Sequence, residues 1–139
     1  GSGPQVTELT ELIADLKAPV KLLGRRSDVA DLLGAADVAV LTSQWEGSPL
    51  FPQEALRAGK PLVATAVGGV PWLVEDAAEL VPVGDVAAVD AAVTRLLDDE
   101  AAAKDLAAKA AVRGAALPTE ADCNAQIAEL YAELMGRSA

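Results

Sequence analysis

Short apolar segments alternate with helical segments along this chain, and this alternation constrains its fold more than any other feature. The segments Val38–Thr42, Pro61–Thr65 and Leu80–Val83 are apolar over almost their whole length, and helical periodicity follows each of them. A strand without a polar face has to be covered on both sides, as in a parallel sheet between helices. The sequence therefore predicts an α/β fold with a partial doubly wound parallel sheet, because crossovers between parallel strands are right-handed.

A fourth strand is expected at Val20–Leu23, a short apolar run that ends at Gly24. Only Gly1–Pro4 precede the first predicted helix, where a parallel sheet would have a strand. We therefore expect the chain to be a piece of a longer protein, with Val20–Leu23 as an unprotected edge strand. Ser27 is the expected N-cap of the second helix. The predicted helices are Gln5–Lys17, Asp28–Ala35, Pro52–Arg57, Pro71–Val74, Val86–Asp98, Ala101–Arg113 and Thr119–Met135.

Charge and composition exclude several functions. The net charge of −10 repels phosphate backbones and anionic lipid, so we expect no nucleic-acid partner. No apolar run approaches the roughly 20 residues of a membrane span. The single cysteine, Cys123, cannot form an internal disulfide, which fits a cytoplasmic protein with Cys123 as a small buried side chain. The sequence has no histidine, so it offers no imidazole base or metal ligand.

Ligands of open parallel sheets bind beyond the carboxyl ends of the strands, and three loops are expected there. They are Gly24–Ser27, Ser43–Phe51 and Ala66–Pro71. The middle loop leads into a helix, whose first backbone N–H groups and dipole favour an anion. If Pro52 is the first helical residue, Leu50 and Phe51 lie just outside the helix with their N–H groups free for a phosphate.

Two glutamates eight positions apart, Glu46 and Glu54, belong to this loop and its helix. Glu54 could accept two hydrogen bonds from a ribose diol, as acidic residues do in dinucleotide-binding folds. Glu46 could face a sugar, where it would orient hydroxyls or stabilise positive charge. An ordinary capped helix with two dipole partners explains the same pattern, and the residues alone leave both interpretations open.

The segment Glu46–Glu54 reads E-G-S-P-L-F-P-Q-E, which resembles the E-x(7)-E motif of retaining GT-B-type glycosyltransferases. The usual form of that motif is E-G-F-P-L or E-G-F-G-L, followed by E-A. Flanking segments agree with the family in the same order, so the resemblance spans nearly the whole chain. They are Leu22–Gly24, Asp28-Val29 with Leu32, Ala36–Val38 with Ser43, Gly59–Thr65, Gly68–Pro71, Pro82–Asp85 and Leu130-Tyr131.

This resemblance implies that residues 1–139 form a Rossmann-like, nucleotide-sugar-binding C-terminal domain. It implies that Glu54 binds the ribose and that Glu46 lies at the donor sugar as the catalytic-site residue. The remaining implied contacts are the amides near Ser48, Leu50 and Phe51 at the distal phosphate, Gly47 as a further substrate-binding residue, and Gly24 and Arg25 near the base.

The implied reaction is the retaining transfer of a hexose from a nucleotide diphosphate sugar to an acceptor. It needs no cofactor and no metal, because positive groups and helix dipoles stabilise the leaving diphosphate. The acceptor binds a separate N-terminal domain, and the family supplies an Arg and a Lys to the diphosphate from a loop further upstream. We expect both to lie outside this chain, which would make the isolated chain inactive. A parent enzyme that builds a glycolipid would associate peripherally with a membrane.

Several residues have two interpretations. Trp72 stands where the family commonly has Glu, and a core or surface aromatic is favoured over a contact with the acceptor or the separate domain. A packing role is likewise favoured for Trp45 over stacking on a ligand. The basic pair Arg25-Arg26 can touch a phosphate or base, or be solvated.

Two other functions remain as alternatives. The first is a non-catalytic nucleotide-binding module of the same fold. The second is a signalling receiver, which ranks last because the loop Ser43–Gly47 has no phospho-acceptor aspartate.

Overall fold

The computed structural model describes residues 2–136 of the chain. The chain divides into two compact units, Gly1–Leu32 and Leu33–Ala139.

The first unit contains helix α1 (Val6–Leu16), which ends at Lys17 in the left-handed conformation with φ 50°. The backbone N–H groups of Lys17 and Ala18 return to the carbonyls of Ala14 and Ile13, as at many helix ends. No residue of α1 is buried.

The predicted strand Val20–Leu23 does not form, and this expectation was wrong. Val20 donates its N–H to the nearby carbonyl of Ala18 at 2.8 Å instead. Val20, Leu22 and Leu23 are about half exposed, at 53%, 45% and 53%. An apolar run becomes a strand only when a neighbouring strand accepts its hydrogen bonds, and no strand within the described residues pairs with this one.

Helix α2 (Val29–Ala35) begins one residue later than predicted. Asp28 rather than Ser27 therefore precedes the helix, and the carbonyl of Asp28 accepts the N–H of Leu32 at 3.1 Å. Ser27, the expected N-cap, lies two positions before the first helical residue and is therefore too far from the helix start for that place.

Three parallel strands form the sheet that is described in the second unit, in the order β1-β2-β3. Val40 pairs with Val63 in one ladder, and Ala64 pairs with Leu80 in the other. The predicted α/β class and parallel sheet are confirmed, with three strands where four were expected. The elements of this unit after α2 are β1 (Ala39–Leu41), α3 (Leu50–Arg57), β2 (Leu62–Thr65), α4 (Val70–Val74), β3 (Glu79–Val81), α5 (Val86–Asp98), α6 (Glu100–Ala116) and α7 (Glu120–Gly136).

The core lies around the central strand β2, whose four residues are all buried. On one side, Val63 packs with Val81 and with residues of α5 and α6 that include Leu96 and Leu106. Each large aliphatic side chain buried in this way contributes about 1.5–3 kcal/mol. Covering β2 on both faces is what its uninterrupted apolar sequence demanded.

Helices α3 and α6 pack with their backbones in close approach. A β-carbon placed on Gly114 of α6 would lie 2.4 Å from the carbonyl oxygen of Leu56 in α3. Only glycine allows this approach without displacing one of the helices. Ala110 of α6 and Ala55 of α3 are fully buried as well. The abundance of small residues in α6 is thus used for close helix packing.

The last helix, α7, buries none of its residues. Its start is fixed by a capping box, in which Thr119 Oγ1 accepts the N–H of Asp122 at 3.2 Å. The carboxylate of Asp122 accepts the backbone N–H of Thr119 at 2.8 Å in return. Cys123 is exposed, so the expectation of a buried cysteine was wrong. Nothing in the part of the chain that the structure describes buries any residue of α7. Within residues 2–136, no helix combines the length and the apolar character that a membrane span requires.

Candidate functional site

Two loops meet where β1 and β2 end. A β-carbon on Gly68 would lie 1.7 Å from the carbonyl oxygen of Glu46, and one on Gly69 would lie 2.3 Å from that of Gly47. Gly68 also has φ 50°, a conformation that residues with a side chain rarely adopt. The Gly68-Gly69 turn therefore packs directly on the backbone of the loop that carries Glu46.

A short chain of hydrogen bonds holds the Glu46 carboxylate. The Thr65 hydroxyl, in a residue only 1% exposed, donates to the Ser43 carbonyl at 2.6 Å. The Ser43 hydroxyl donates in turn to Glu46 Oε1 at 2.7 Å. One carboxylate oxygen of Glu46 is thus tied to the end of the sheet. Thr65 was not predicted to take part. It is the one polar residue of β2 and stands at the end of that strand, which was the signal in the sequence for a hydrogen-bonding role at this edge of the sheet.

The helix after this loop starts earlier than predicted. Helix α3 begins at Leu50 with Pro49 as its N-cap, and not at Pro52. Leu50 and Phe51 are therefore inside the first turn, and the expectation that they lie outside it was wrong. Pro52 fits within the first turn because the N–H it lacks would have no helical partner there.

The donors expected at this helix start are nevertheless retained. The N–H groups of a first turn have no carbonyl partner within the helix. Pro49 and Pro52 have no N–H, so the first turn offers the amides of Leu50 and Phe51. Both prolines are buried, whereas Leu50 is 72% exposed. Ser48, just ahead of the helix, is exposed.

The second glutamate, Glu54, lies in the next turn of α3 and is exposed. Its backbone carbonyl accepts the N–H of Ala58 at 3.0 Å. The neighbouring Gln53 side chain turns back to the carbonyl of Pro49 at 3.3 Å and steadies the first turn. The carboxylate of Glu54 makes no side-chain hydrogen bond or ion pair with the residues that the structure describes.

Gly24 and Arg25, the two residues expected at the base, belong to the first unit. Gly24 has φ 64°, in the region that favours glycine, and Arg25 is exposed. Arg26 is engaged in an ion pair with Asp28. The hydrogen bond between them raises the pKa of Arg26 and lowers that of Asp28. Of the basic pair, Arg26 is thus ion-paired, whereas Arg25 forms no ion pair with the residues that the structure describes.

A cleft of about 580 Å³ lies within the first unit. Its lining includes Gly3, Pro4, Lys21, Leu22, Leu23 and Gly24. The predicted base contact Gly24 therefore borders a cleft rather than a flat surface.

Both tryptophans are exposed, Trp45 at 82% and Trp72 at 88%. The packing role favoured for Trp45 was therefore wrong, because its loop buries Pro49 instead. Trp72 is a surface residue of α4, whose carboxyl end is held by Arg113 of α6. The Arg113 guanidinium donates to the carbonyls of Leu73 at 2.9 Å and Trp72 at 3.3 Å.

A parallel α/β sheet with paired loops at its carboxyl edge has a clear counterpart among known proteins. The family described as glycosyl transferases group 1 matches residues 1–99. This match covers more than half of the chain, which therefore belongs to that family. The resemblance to GT-B glycosyltransferases is confirmed, and the signalling receiver is excluded.

Individual relatives agree with this assignment. The chain is 35% identical over 104 residues to N-acetyl-alpha-D-glucosaminyl L-malate synthase of Bacillus anthracis, an alignment that covers 72% of this chain and 27% of the relative. Sucrose-phosphate synthase from Thermosynechococcus elongatus superposes with a TM-score of 0.87 at 30% identity, over 99% of this chain and 37% of that one. Anabaena HepE, solved in complex with UDP, gives a TM-score of 0.85 at 29% identity, over 92% and 36%. The chain thus spans between a quarter and two fifths of the length of these relatives.

Proposed function

We propose that this chain is the donor-binding part of a retaining hexosyltransferase that uses a nucleotide diphosphate sugar. The observation that carries this proposal is the Glu46 carboxylate, which Ser43 orients at 2.7 Å, in a loop that leads directly into the first turn of α3. In the reaction, the bond between the anomeric carbon and the diphosphate oxygen breaks. The acceptor oxygen bonds to that carbon on the same face, and its proton passes to the diphosphate oxygen of the leaving nucleoside diphosphate.

The start of α3 supports binding of the distal phosphate. The amides of Leu50 and Phe51 in the first turn, with Gly47 and Ser48 before it, give a short run of N–H donors at the positive end of a helix dipole. In a chain with net charge −10, an anionic ligand needs such a local positive field. The same groups would stabilise the charge that develops on the leaving diphosphate.

The two glutamates would bind the two other parts of the donor, the ribose and the sugar. Glu54 is exposed one turn further along α3, where its carboxylate can accept two hydrogen bonds from the ribose hydroxyls. Glu46 has one oxygen on Ser43, and its other oxygen would face the donor sugar as the catalytic-site residue. Gly24 and Arg25 remain the predicted contacts of the base.

The proposed transfer needs no metal and no organic cofactor, since protein groups at the helix start carry the electrostatic stabilisation. The lone, exposed Cys123 fits a reducing compartment, so we propose that the enzyme works in the cytoplasm. An acceptor domain elsewhere in the longer protein would complete the active site. If the acceptor is a lipid-linked glycan, the enzyme would associate with the membrane surface.

The decisive experiment compares UDP, GDP and ADP as ligands of this chain by amide NMR. We expect one nucleotide to be preferred and the amides of residues 48–54 to shift most. Glu54→Gln should weaken binding about tenfold or more, because a hydrogen bond to a charged group contributes roughly 1.5–3 kcal/mol. Glu129→Gln, a change of an exposed carboxylate on α7, serves as the matched control and should leave binding unchanged.

If none of the nucleotides shifts these amides at millimolar concentration, the proposed site is wrong. A non-catalytic module of the same fold would bind the nucleotide but show no turnover in the full-length protein. Turnover that Glu46→Gln abolishes while nucleotide binding persists would exclude that alternative.

A further inference from the structure

Helix α4 is too short to hold its position by itself. It contains five residues, Val70–Val74, and an isolated helix of that length is not stable in water. The side chains of Val70 and Val74 are buried, and each end of the helix has a further contact. The Gly68-Gly69 turn before its amino end packs on the loop that carries Glu46. Arg113 of α6 holds the carboxyl end.

The Arg113 side chain binds three groups at that carboxyl end. Its Nε donates to the carbonyl of Leu73 at 2.9 Å, and its Nη2 donates to the carbonyl of Trp72 at 3.3 Å. The same Nη2 lies 3.0 Å from the Glu75 carboxylate. The last carbonyls of a helix have no partner within it, and its dipole favours a cation there. The guanidinium therefore satisfies the end of α4 and ties it to α6.

Glu75, the residue after α4, has an uncommon backbone conformation. Its φ of 52° and ψ of −118° lie in a region that residues with a side chain rarely adopt. Such a conformation persists only where surrounding contacts impose it. The N–H of Glu75 donates to the Pro71 carbonyl at 3.0 Å, and its carboxylate is paired with Arg113. These contacts fix the carboxyl end of α4 against the preference of the backbone.

A single turn of α4 connects Arg113 to the loop of Glu46. Leu73 accepts from Arg113 with its carbonyl and donates its own N–H to the carbonyl of Gly69 at 3.0 Å. A β-carbon on Gly69 would lie 2.3 Å from the Gly47 carbonyl oxygen, so the two backbones are in direct contact. Because protein interiors are close-packed, a shift of α4 would displace the loop against which it rests.

We propose that Arg113 is a positioning residue for Glu46, which it reaches through α4 and the Gly68-Gly69 turn. This inference rests on the proposed function, because it takes Glu46 as the carboxylate at the donor sugar. Ser43 holds that carboxylate directly, and Arg113 holds the backbone on which it is mounted. A displacement of about 1 Å that arises far from the reacting atoms can lower a rate about 100-fold. Loss of Arg113 should therefore slow sugar transfer.

Kinetics of the full-length protein provide the first test. The assay measures release of the nucleoside diphosphate from UDP-glucose, GDP-mannose or ADP-glucose, with water as the acceptor. We expect Arg113→Met to lower kcat about tenfold or more and to change nucleotide affinity less than about twofold. Arg113→Lys keeps the charge beside Glu75 but lacks the planar guanidinium that reaches both carbonyls. It should recover only part of kcat.

A second readout reports the position of the loop without any substrate. In the full-length protein labelled with [15N]glycine, the Gly47 amide signal is assigned by its loss in Gly47→Ala. A β-carbon there meets no atom within 4 Å. We expect Arg113→Met to shift the Gly47 signal and Lys109→Met to leave it unchanged. Lys109 is the matched control because it lies one turn earlier on α6 and pairs with Asp105 at 2.9 Å.

Leu96→Ala separates positioning from a general loss of stability. Leu96 lies on α5 and packs in the core with Val63 and Val81. Its truncation should lower the free energy of unfolding at least as much as Arg113→Met does. Both variants are assayed below their unfolding temperatures. There Leu96→Ala should leave kcat and the Gly47 signal close to those of the unchanged protein.

Three results would overturn the positioning role. The first is a kcat in Arg113→Met no lower than in Leu96→Ala, and the second is an unshifted Gly47 signal. The third is a loss of nucleotide affinity in Arg113→Met as large as in Glu54→Gln, which would mean that Arg113 supports the whole donor site. If Glu54→Gln leaves nucleotide binding unchanged, the proposed function fails instead, and the Gly47 signal still decides whether Arg113 positions this loop.

Discussion

Gly68 and Glu46 are in such close backbone contact that a β-carbon on Gly68 would lie 1.7 Å from the Glu46 carbonyl oxygen. This contact joins the loop after β2 to the loop after β1, and a glycine is needed for both its size and its φ of 50°. The position of the proposed sugar-facing glutamate therefore depends on a residue 22 positions later in the chain.

Gly68→Ala tests this dependence. The added methyl group must displace the Glu46 backbone, and the alanine must adopt a left-handed backbone conformation. Together these two effects should cost about 1–3 kcal/mol of stability. Nucleotide-sugar binding should weaken as well, measured by calorimetry. Gly34→Ala is the control, because a β-carbon on Gly34 meets no atom within 4 Å. Equal effects of the two changes would contradict the proposed contact.

Thr65→Val tests the hydrogen bonds that lead to Glu46. Valine has nearly the same shape but cannot donate to the Ser43 carbonyl, so the chain should lose about 1 kcal/mol in urea unfolding. We also expect slower turnover in the full-length protein, since Ser43 would no longer be held against Glu46. Thr94→Val, an exposed change on α5, should alter neither property.

Arg113→Met tests the attachment of α4 to α6. The variant keeps an aliphatic side chain but removes the donors to Leu73 and Trp72, which should cost about 1–3 kcal/mol because a charged donor is lost. The matched control is Lys104→Met, which breaks an exposed pair with Glu100. That change should cost less than about 1 kcal/mol. Thermal unfolding of both variants makes the comparison.

Acid should loosen the start of α7 before it affects the sheet. Hydrogen bonds from the hydroxyl and then the backbone of Thr119 lower the pKa of Asp122. A carboxyl with a lowered pKa in the folded state stabilises it above the unfolded pKa, and this contribution is lost as the pH falls below about 4. Hydrogen exchange in residues 120–124 should therefore accelerate in acid. In Asp122→Asn this acid-induced change should be absent.

Removal of divalent metal should leave donor binding intact. Because the amides at the start of α3 are proposed to hold the distal phosphate, excess EDTA should change nucleotide affinity by less than about twofold. A tenfold loss that magnesium restores would show that a metal ion bridges the diphosphate, and the metal-free mechanism would then be wrong. Calorimetric titration with and without EDTA provides the measurement.

The parallel sheet was predictable because its strands are short and apolar on both faces. Val38–Thr42 and Pro61–Thr65 contain the observed β1 and β2, since such runs have few other ways to bury their side chains. Val20–Leu23 has the same character and forms no strand, because a strand also requires a partner that a local pattern does not reveal. The expected burial of Cys123 failed for a similar reason. Whether a residue of α7 is buried depends on which other element packs on that helix, and the local sequence does not show this.

The sequence by itself determined the class of the fold, the family, and the loop and helix that carry Glu46 and Glu54. These follow from the order of local patterns, which depend on residues close together in the chain. Only the tertiary structure decided that Thr65 and Ser43 hold Glu46, that Gly68-Gly69 packs on its backbone, and that both tryptophans face solvent. These contacts form where the carboxyl ends of neighbouring strands come together in space. Residues far apart in the chain make them, so no local periodicity of the sequence predicts them.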